Sequence, residues 1–365
     1  MEKKKFGFLV HPRELEDFFI KFPYLRFLPK RLVYYITKYH GPVIASRITG
    51  LKNQRGEDVE GYVFGVTMTA HQMMEDPTHA RKKIHRAVRY ARDKGVGIIG
   101  LGALTASFSR GGLDLANIEG IGITTGRAYT VKTIVDYASL ALEKINLAPE
   151  NTYVGIVGAA GSIGSGCARL LAEKGFVHFL LVDLEKKLEK VEERIQHIKT
   201  RSPNLVIEKT DRVANIKNCD LVIAATNAPE VVIGPDDLKP GAIVINDAQP
   251  SDISPEVLRQ RDDVIVIEGG VVRSNTVRGN FNFRLAQRDD TFSCLGEVLI
   301  LSSHGYFENF AVGELDLSLV STIEKMAESV DIGISKPQNA HGIIPEEQFE
   351  HARVIGEKFR NHVHN

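Results

Sequence analysis

Apolar residues recur at two spacings along this 365-residue chain, and the change from one spacing to the other marks its elements. Short runs that alternate or are wholly apolar predict strands over Lys5–Val10, Val43–Leu51, Asp58–Val66 and Gly95–Gly100. An apolar stripe at helical spacing, with charges on its other side, predicts a long helix over Asp76–Lys94. A glycine turn at Thr124-Thr125-Gly126 opens a second helix, Arg127–Ile145, and Asn146–Asn151 reads as a linker. Beyond it the rhythm changes. Apolar runs at Tyr153–Val157, Phe179–Asp183, Leu205–Glu208, Asp220–Ala225, Ala242–Asn246 and Val264–Glu268 are joined by helical stretches or short connections. Such alternation predicts a doubly wound parallel sheet. After Arg273 strand signals fade, and Phe292–Ser303 and Leu317–Ser329 read as helices.

The turn after Tyr153–Val157 carries the most specific chemistry. It reads Gly158-Ala159-Ala160-Gly161-Ser162-Ile163-Gly164 and sits between a strand and a helix. In that setting the first glycine permits the turn, the second lets backbone approach a pyrophosphate, and the third packs helix on strand. The helix N-terminus adds N–H groups and partial positive charge for the phosphates. Asp183 ends the next strand, where an acid binds a ribose hydroxyl. These residues imply a bound dinucleotide, NAD or NADP. Lys186 and Lys187 stand where they could reach a ribose 2′-phosphate instead.

The expected plan is therefore α/β: an N-terminal mixed α/β substrate domain over residues 1–150, and a doubly wound parallel (Rossmann) nucleotide-binding domain over 151–273. A C-terminal helical segment over 274–365 is expected to pack back on both. In such sheets ligands lie beyond the carboxyl ends of the strands. Three loops should reach that crevice: Thr226-Asn227-Ala228-Pro229, Asp247-Ala248-Gln249-Pro250, and Glu268-Gly269-Gly270-Val271. The paired glycines of the third would let a flat ring lie against the chain.

Charge and cysteine content narrow the partners. Forty-six basic residues balance 46 acidic ones, so no global field draws the chain to nucleic acid or to an anionic membrane, and Lys30-Arg31 is too short a run to alter this. The most apolar stretch, Val96–Phe108, is too short to span a bilayer, which leaves at most peripheral contact with lipid. No leader sequence is evident, and three widely separated cysteines, 167, 219 and 294, suggest a reducing cytoplasm and neither disulfide nor zinc. His71, His79 and His85 lack metal-binding spacing, so no metal is expected; Met68, Met73 and Met74 read as core, and His362 and His364 as a frayed terminus.

Cys294 falls in Asp289-Asp-Thr-Phe-Ser-Cys-Leu-Gly-Glu297, at the start of a helix expected to be capped by Asp290 or Thr291. A thiol there feels the helix dipole, which favours thiolate and nucleophilicity. An unpaired cysteine on an apolar helix is also an ordinary core residue. On the residues alone both readings stay open.

Four segments, Thr124–Thr130, Gly158–Gly164, Val266–Val271 and Phe292–Glu297, give the chain a resemblance to the long-chain acyl-acyl-carrier-protein reductases. Order and spacing run in parallel from about Gly56 to Phe310. The resemblance implies reduction of a fatty acyl thioester, on carrier protein or coenzyme A, to an aldehyde through an acyl-enzyme on Cys294. It also implies NADPH as reductant. Thr124, Thr125 or backbone N–H groups at the start of the cysteine's helix would face the oxyanion, and Gly126 would let the nicotinamide approach. Two residues depart from the family: Tyr129 stands at a histidine position, where it could still donate a hydrogen bond, and Asp183 favours NAD over NADP. The alternatives are a non-covalent dehydrogenase of a small polar substrate, like shikimate or amino-acid dehydrogenases, and a nucleotide sensor without turnover. Acyl chain length and oligomeric state are not legible.

Overall fold

The computed structural model describes residues 5–228, 230–279 and 285–363; Pro229 and His364 of the sequence reading lie outside them. By their contacts the residues group into two compact units. One comprises Met1–Tyr129, Arg273–Arg284 and Arg288–Gly333; the other comprises Thr130–Val272, Leu285–Gln287 and Ile334–Asn365. This grouping differs from the expected plan. The division falls inside the helix Arg127–Lys144, and the residues after 273 are shared between the two units.

In the first unit β1 (Lys5–Val10), β2 (Val43–Lys52), β3 (Asp58–Gly65), β4 (Val96–Leu101) and β5 (Gly122–Thr124) build a sheet. Its order is Arg278–Gly279, β2, β3, β1, β4, β5, with β3, β1, β4 and β5 mutually parallel. Helices α1 (Glu16–Lys21) and α2 (Lys30–Tyr39) lie between β1 and β2, α3 (Ala70–Glu75) and α4 (Pro77–Asp93) between β3 and β4, and α5 (Leu104–Phe108) follows β4. The faces alternate as strand geometry demands. Leu9, Phe64 and Ile99 pack with Ala80, Ile84, Ala87 and Val88 of α4, and wholly buried Met68 and Met73 join this core. Gly100, one residue on from Ile99, faces the other way; a side chain there would stand 3.2 Å from Val298, which lets a helix lie directly on the strand.

The second unit holds most of α6 (Arg127–Lys144) and six parallel strands: β6 (Tyr153–Val157), β7 (His178–Val182), β8 (Val206–Thr210), β9 (Leu221–Ala224), β10 (Ile243–Asn246) and β11 (Ile265–Glu268). Their order is β11-β10-β9-β6-β7-β8, so the winding reverses beside β6. Leu-Val-Ile-Ala, Ile-Val-Ile-Asn and Ile-Val-Ile-Glu are apolar up to their last residue because buried parallel strands have no polar side, whereas β8 at one edge is Val-Ile-Glu-Lys-Thr and more exposed. Helices α7 (Ser162–Glu173), α8 (Leu188–Arg201) and α9 (Pro255–Gln260) belong to this unit. Helix α8 turns Val191, Ile195 and Ile198 inward. Later come α10 (Ser293–Ser303) and α11 (Leu317–Ala327) in the first unit, and α12 (Glu346–Val363) in the second. Among the described residues no helix is long and apolar enough to cross a membrane.

Candidate functional site

In the first unit the thiol of interest stands beside the carboxyl end of a parallel strand. Cys294, half-buried, is the second residue of α10, and Gly126 follows β5 with φ +77°. A side chain on Gly126 would lie 2.3 Å from Cys294 Cβ and 2.5 Å from its Cα. The close approach that Gly126 permits in this structure is to the cysteine. The other cysteines are buried: burial pushes the Cys219 thiol up to about 12, and burial with the nearby Asp247 raises Cys167 well above the usual thiol range.

The residues around this thiol are tied differently from expectation. The cap position of the helix is Phe292, one residue past the expected Thr291, and offers no side-chain cap, and Asp290–Phe292 forms a short strand. The Thr125 hydroxyl donates to the Ala311 carbonyl at 2.6 Å, and the Thr124 hydroxyl donates to Glu297. Buried Tyr129 donates its hydroxyl to the Ile332 carbonyl at 3.0 Å. The Thr125 and Tyr129 side chains brace backbone, and that of Thr124 braces the Glu297 carboxylate.

Glu297, one helical turn beyond Cys294, is the residue that sequence reasoning passed over. Wholly buried, it accepts from the N–H groups of Gly126 at 3.0 Å and Tyr129 at 2.8 Å as well as from Thr124. Burial pushes its carboxyl up to about 7, opposed by the Thr124 hydroxyl and by the N–H groups of Tyr129, Gly126 and Ala128. It thus anchors the start of α6 and the turn that faces Cys294. One signal was available: it is the lone charge in the apolar run of α10.

The second unit places the glycine loop as expected, between β6 and α7. Gly158 has φ +91°, and a side chain there would meet the Ala225 carbonyl oxygen at 2.6 Å. One on Gly164 would meet the Gly158 carbonyl oxygen at 2.5 Å, while Gly161 remains open apart from that same oxygen at 3.1 Å. The N–H groups of Gly158 and Ala159 bond Val182, and that of Ala160 bonds Asp183 at 2.9 Å. No side chain caps α7, so the first-turn N–H groups of Ser162, Ile163 and Gly164 face a ligand position beside the open Gly161. This cradle fits a pyrophosphate.

Asp183 is buried, also accepts from Leu184 N–H at 2.9 Å, and pairs with Lys187 at 3.3 Å. Past β9, Thr226 is fastened to Asp252 through N–H and hydroxyl and receives Ala228 N–H at 3.0 Å, while Asn227 is exposed. At the end of β10, Asn246 buries its side-chain oxygen without a partner, and Asp247 is pushed up to about 8 by burial, then by Glu268 and Asp252. Asn246 and Asp252 were not foreseen. A side chain on Gly269 would stand 2.5 Å from Ile245 and 3.3 Å from Ile134, and Gly270 is buried beside it.

A doubly wound parallel sheet with this loop defines an NAD(P)-binding fold of the oxidoreductase kind. The family described as the lactate/malate dehydrogenase NAD binding domain matches residues 152–231. Two relatives span more. The aminotransferase PigE of Serratia sp. (strain ATCC 39006) is 29% identical over 308 residues, covering 83% of this chain but only 35% of PigE, so the chain spans about a third of that protein. The long-chain acyl-[acyl-carrier-protein] reductase of Synechococcus elongatus is 25% identical over 283 residues, 73% of this chain and 76% of the reductase. Among solved structures, the Entamoeba histolytica malic enzyme is 14% identical with a TM-score of 0.45, covering 96% of this chain and 68% of the enzyme.

Proposed function

We propose that this protein reduces a long-chain fatty acyl thioester, carried on an acyl-carrier protein or coenzyme A, to the aldehyde through an acyl-enzyme on Cys294. One observation carries the reading: the half-exposed cysteine sits in the first turn of a helix against a glycine that yields it space, whereas the other two thiols are buried. The similarity to a reductase acting on acyl-[acyl-carrier-protein] supports the same substrate class.

The Cys294 thiolate, favoured by the partial positive charge at the start of α10, attacks the thioester carbonyl carbon. The carrier sulfur leaves with the electron pair and takes up a proton, so one thioester replaces another. NAD(P)H, when bound, supplies the hydride that reduces this acyl-enzyme. Collapse of the resulting hemithioacetal releases aldehyde and restores the thiol. Backbone N–H groups of the first turn of α10 are the oxyanion donors in this scheme, because the Thr124 and Thr125 hydroxyls are bonded elsewhere. Glu297, Thr124, Thr125 and Tyr129 act by position: they hold the turn against which the cysteine packs. Asp183 sets a negative charge where a 2′-phosphate would have to lie, so the reductant in this reading is NADH.

Intact-mass measurement tests the covalent step. Incubated with acyl-carrier protein or acyl-coenzyme A and no cofactor, the wild type should gain one acyl mass and Cys294→Ala none. Equal labelling of both, or none of either, would sink the proposal. Turnover of a small oxo-acid undiminished in Cys294→Ala would identify the non-covalent dehydrogenase instead.

A further inference from the structure

The segment between β1 and β2 breaks the charge balance of the chain. Its acids, Glu14, Glu16 and Asp17, all stand at its start; from Phe18 to Pro42 there is none, while Lys21, Arg26, Lys30, Arg31 and Lys38 are basic. The same segment carries apolar surface. Six of the thirteen exposed large apolar side chains among the described residues lie in it: Ile20, Tyr24, Phe27, Leu32, Tyr35 and Tyr39, with Phe27 84%, Ile20 71% and Tyr24 64% exposed.

These side chains are surplus to local packing. Phe18, Leu25 and Val33 already form a small core of their own, supported by Leu15, Phe19, Phe22 and Leu28. Leu32, Tyr35 and Tyr39 share one face of α2 by helical spacing, and the rings of Tyr35 and Tyr39 stand 4.8 Å apart. Lys21 is bonded to backbone carbonyls of β2, and Lys30 to Glu16 at 3.0 Å; exposed Arg26 and Arg31 have no acidic partner among the described residues. Just after α2, Gly41 and Pro42 open a groove walled by Arg81, Lys82, Arg86 and Arg89 of α4, with Asp93 its lone acid.

We propose that this segment docks on an anionic lipid bilayer. Ile20, Tyr24, Phe27 and Leu32 enter the interfacial zone, while Arg26, Arg31 and the α4 arginines meet lipid phosphates. Aromatic and aliphatic tips interleaved with unpaired arginines are what an interfacial helix requires, and the missing acids remove repulsion from the headgroups. A neutral whole-chain charge hides this because the cations are gathered in one stretch.

Co-sedimentation of the full chain with phosphatidylglycerol vesicles, against phosphatidylcholine vesicles, tests the proposal without turnover, so it stands or falls separately from the thioester reading. The wild type should bind the anionic vesicles, release as salt rises, and largely ignore the zwitterionic ones. Phe27→Ser should weaken binding about ten-fold, and Arg26→Gln with Arg31→Gln roughly 25-fold on anionic lipid. Equal binding to both lipids, or binding unchanged in both variants, would overturn it. So would a wild-type dimer that Phe27→Ser converts to monomer, or binding to an acyl-carrier protein, but to no vesicle, that the same variant abolishes.

Discussion

Replacing Gly126 by alanine asks whether this residue serves the nucleophile or the cofactor. At φ +77° the change leaves an L-residue in the left-handed region, at about 1–2 kcal/mol. The new methyl would stand 2.3 Å from Cys294 Cβ and 2.5 Å from its Cα, more than about 1 Å inside carbon contact. Neither atom is the end of a flexible side chain, so the first turn of α10 has to move. Strain and overlap together should lower the unfolding free energy by about 2–4 kcal/mol, read from urea midpoints. The kinetic effect should be larger, since displacing a nucleophile by about 1 Å costs on the order of 100-fold in rate. The assay is acylation of Cys294 followed by mass, beside titration of NADH and NADPH binding by fluorescence. Acylation should fall about 100-fold while cofactor affinity stays that of the wild type. If affinity falls and acylation holds, Gly126 belongs to the cofactor and the assignment to Cys294 is refuted.

Glu297 gives a pH test. Its carboxyl titrates near 7 in the fold against an ordinary value of 4.5, so the folded state keeps a proton that the unfolded chain has lost. Stability from this group is therefore fully present below the ordinary value and is lost as pH rises through about 7, by up to roughly 3 kcal/mol. Urea titrations across that window should show the slope in wild type and a flatter curve in Glu297→Gln; identical slopes would rule the assignment out. Asp183→Ser should shift the ratio of NADH to NADPH affinity toward NADPH by about ten-fold or more, and a wild type that already binds NADPH tighter would contradict the role given to Asp183.

Strands were legible where burial forces a pattern. β9, β10 and β11 are parallel and buried, so each is apolar up to its last residue, Asn246 in β10 and Glu268 in β11 being the polar ends, and such short runs are not mistaken for a surface helix. The helix α4 was legible for the opposite reason, since one stripe is buried and the rest is charged. The segment holding α1 and α2 was not. Its apolar residues divide between a small core and an outward face, so no single stripe emerges. The short strand Asp290–Phe292 was hidden as well, because three residues carry no period and the chain turns at once into α10.

At the candidate site, residue type was legible and partnership was not. Gly126, Gly158 and Gly269 look alike in sequence, each a glycine at the end of an apolar run. Yet Gly158 makes room for the Ala225 carbonyl, Gly126 for Cys294, and Gly269 for Ile245. A glycine announces a close approach without naming what approaches, because the neighbour comes from a distant part of the chain. Hydroxyls mislead in the same way: Thr125 and Tyr129 suggest catalysis by type, but each donates to a backbone carbonyl about two hundred residues away in sequence. Glu297 is the converse case. A single carboxylate in a wholly apolar helix can be buried only if donors converge on it, and the nearest supply of unpaired N–H groups is another helix's N-terminus. That inference leads from the sequence of α10 to the start of α6, and hence to the turn at Gly126 beside Cys294.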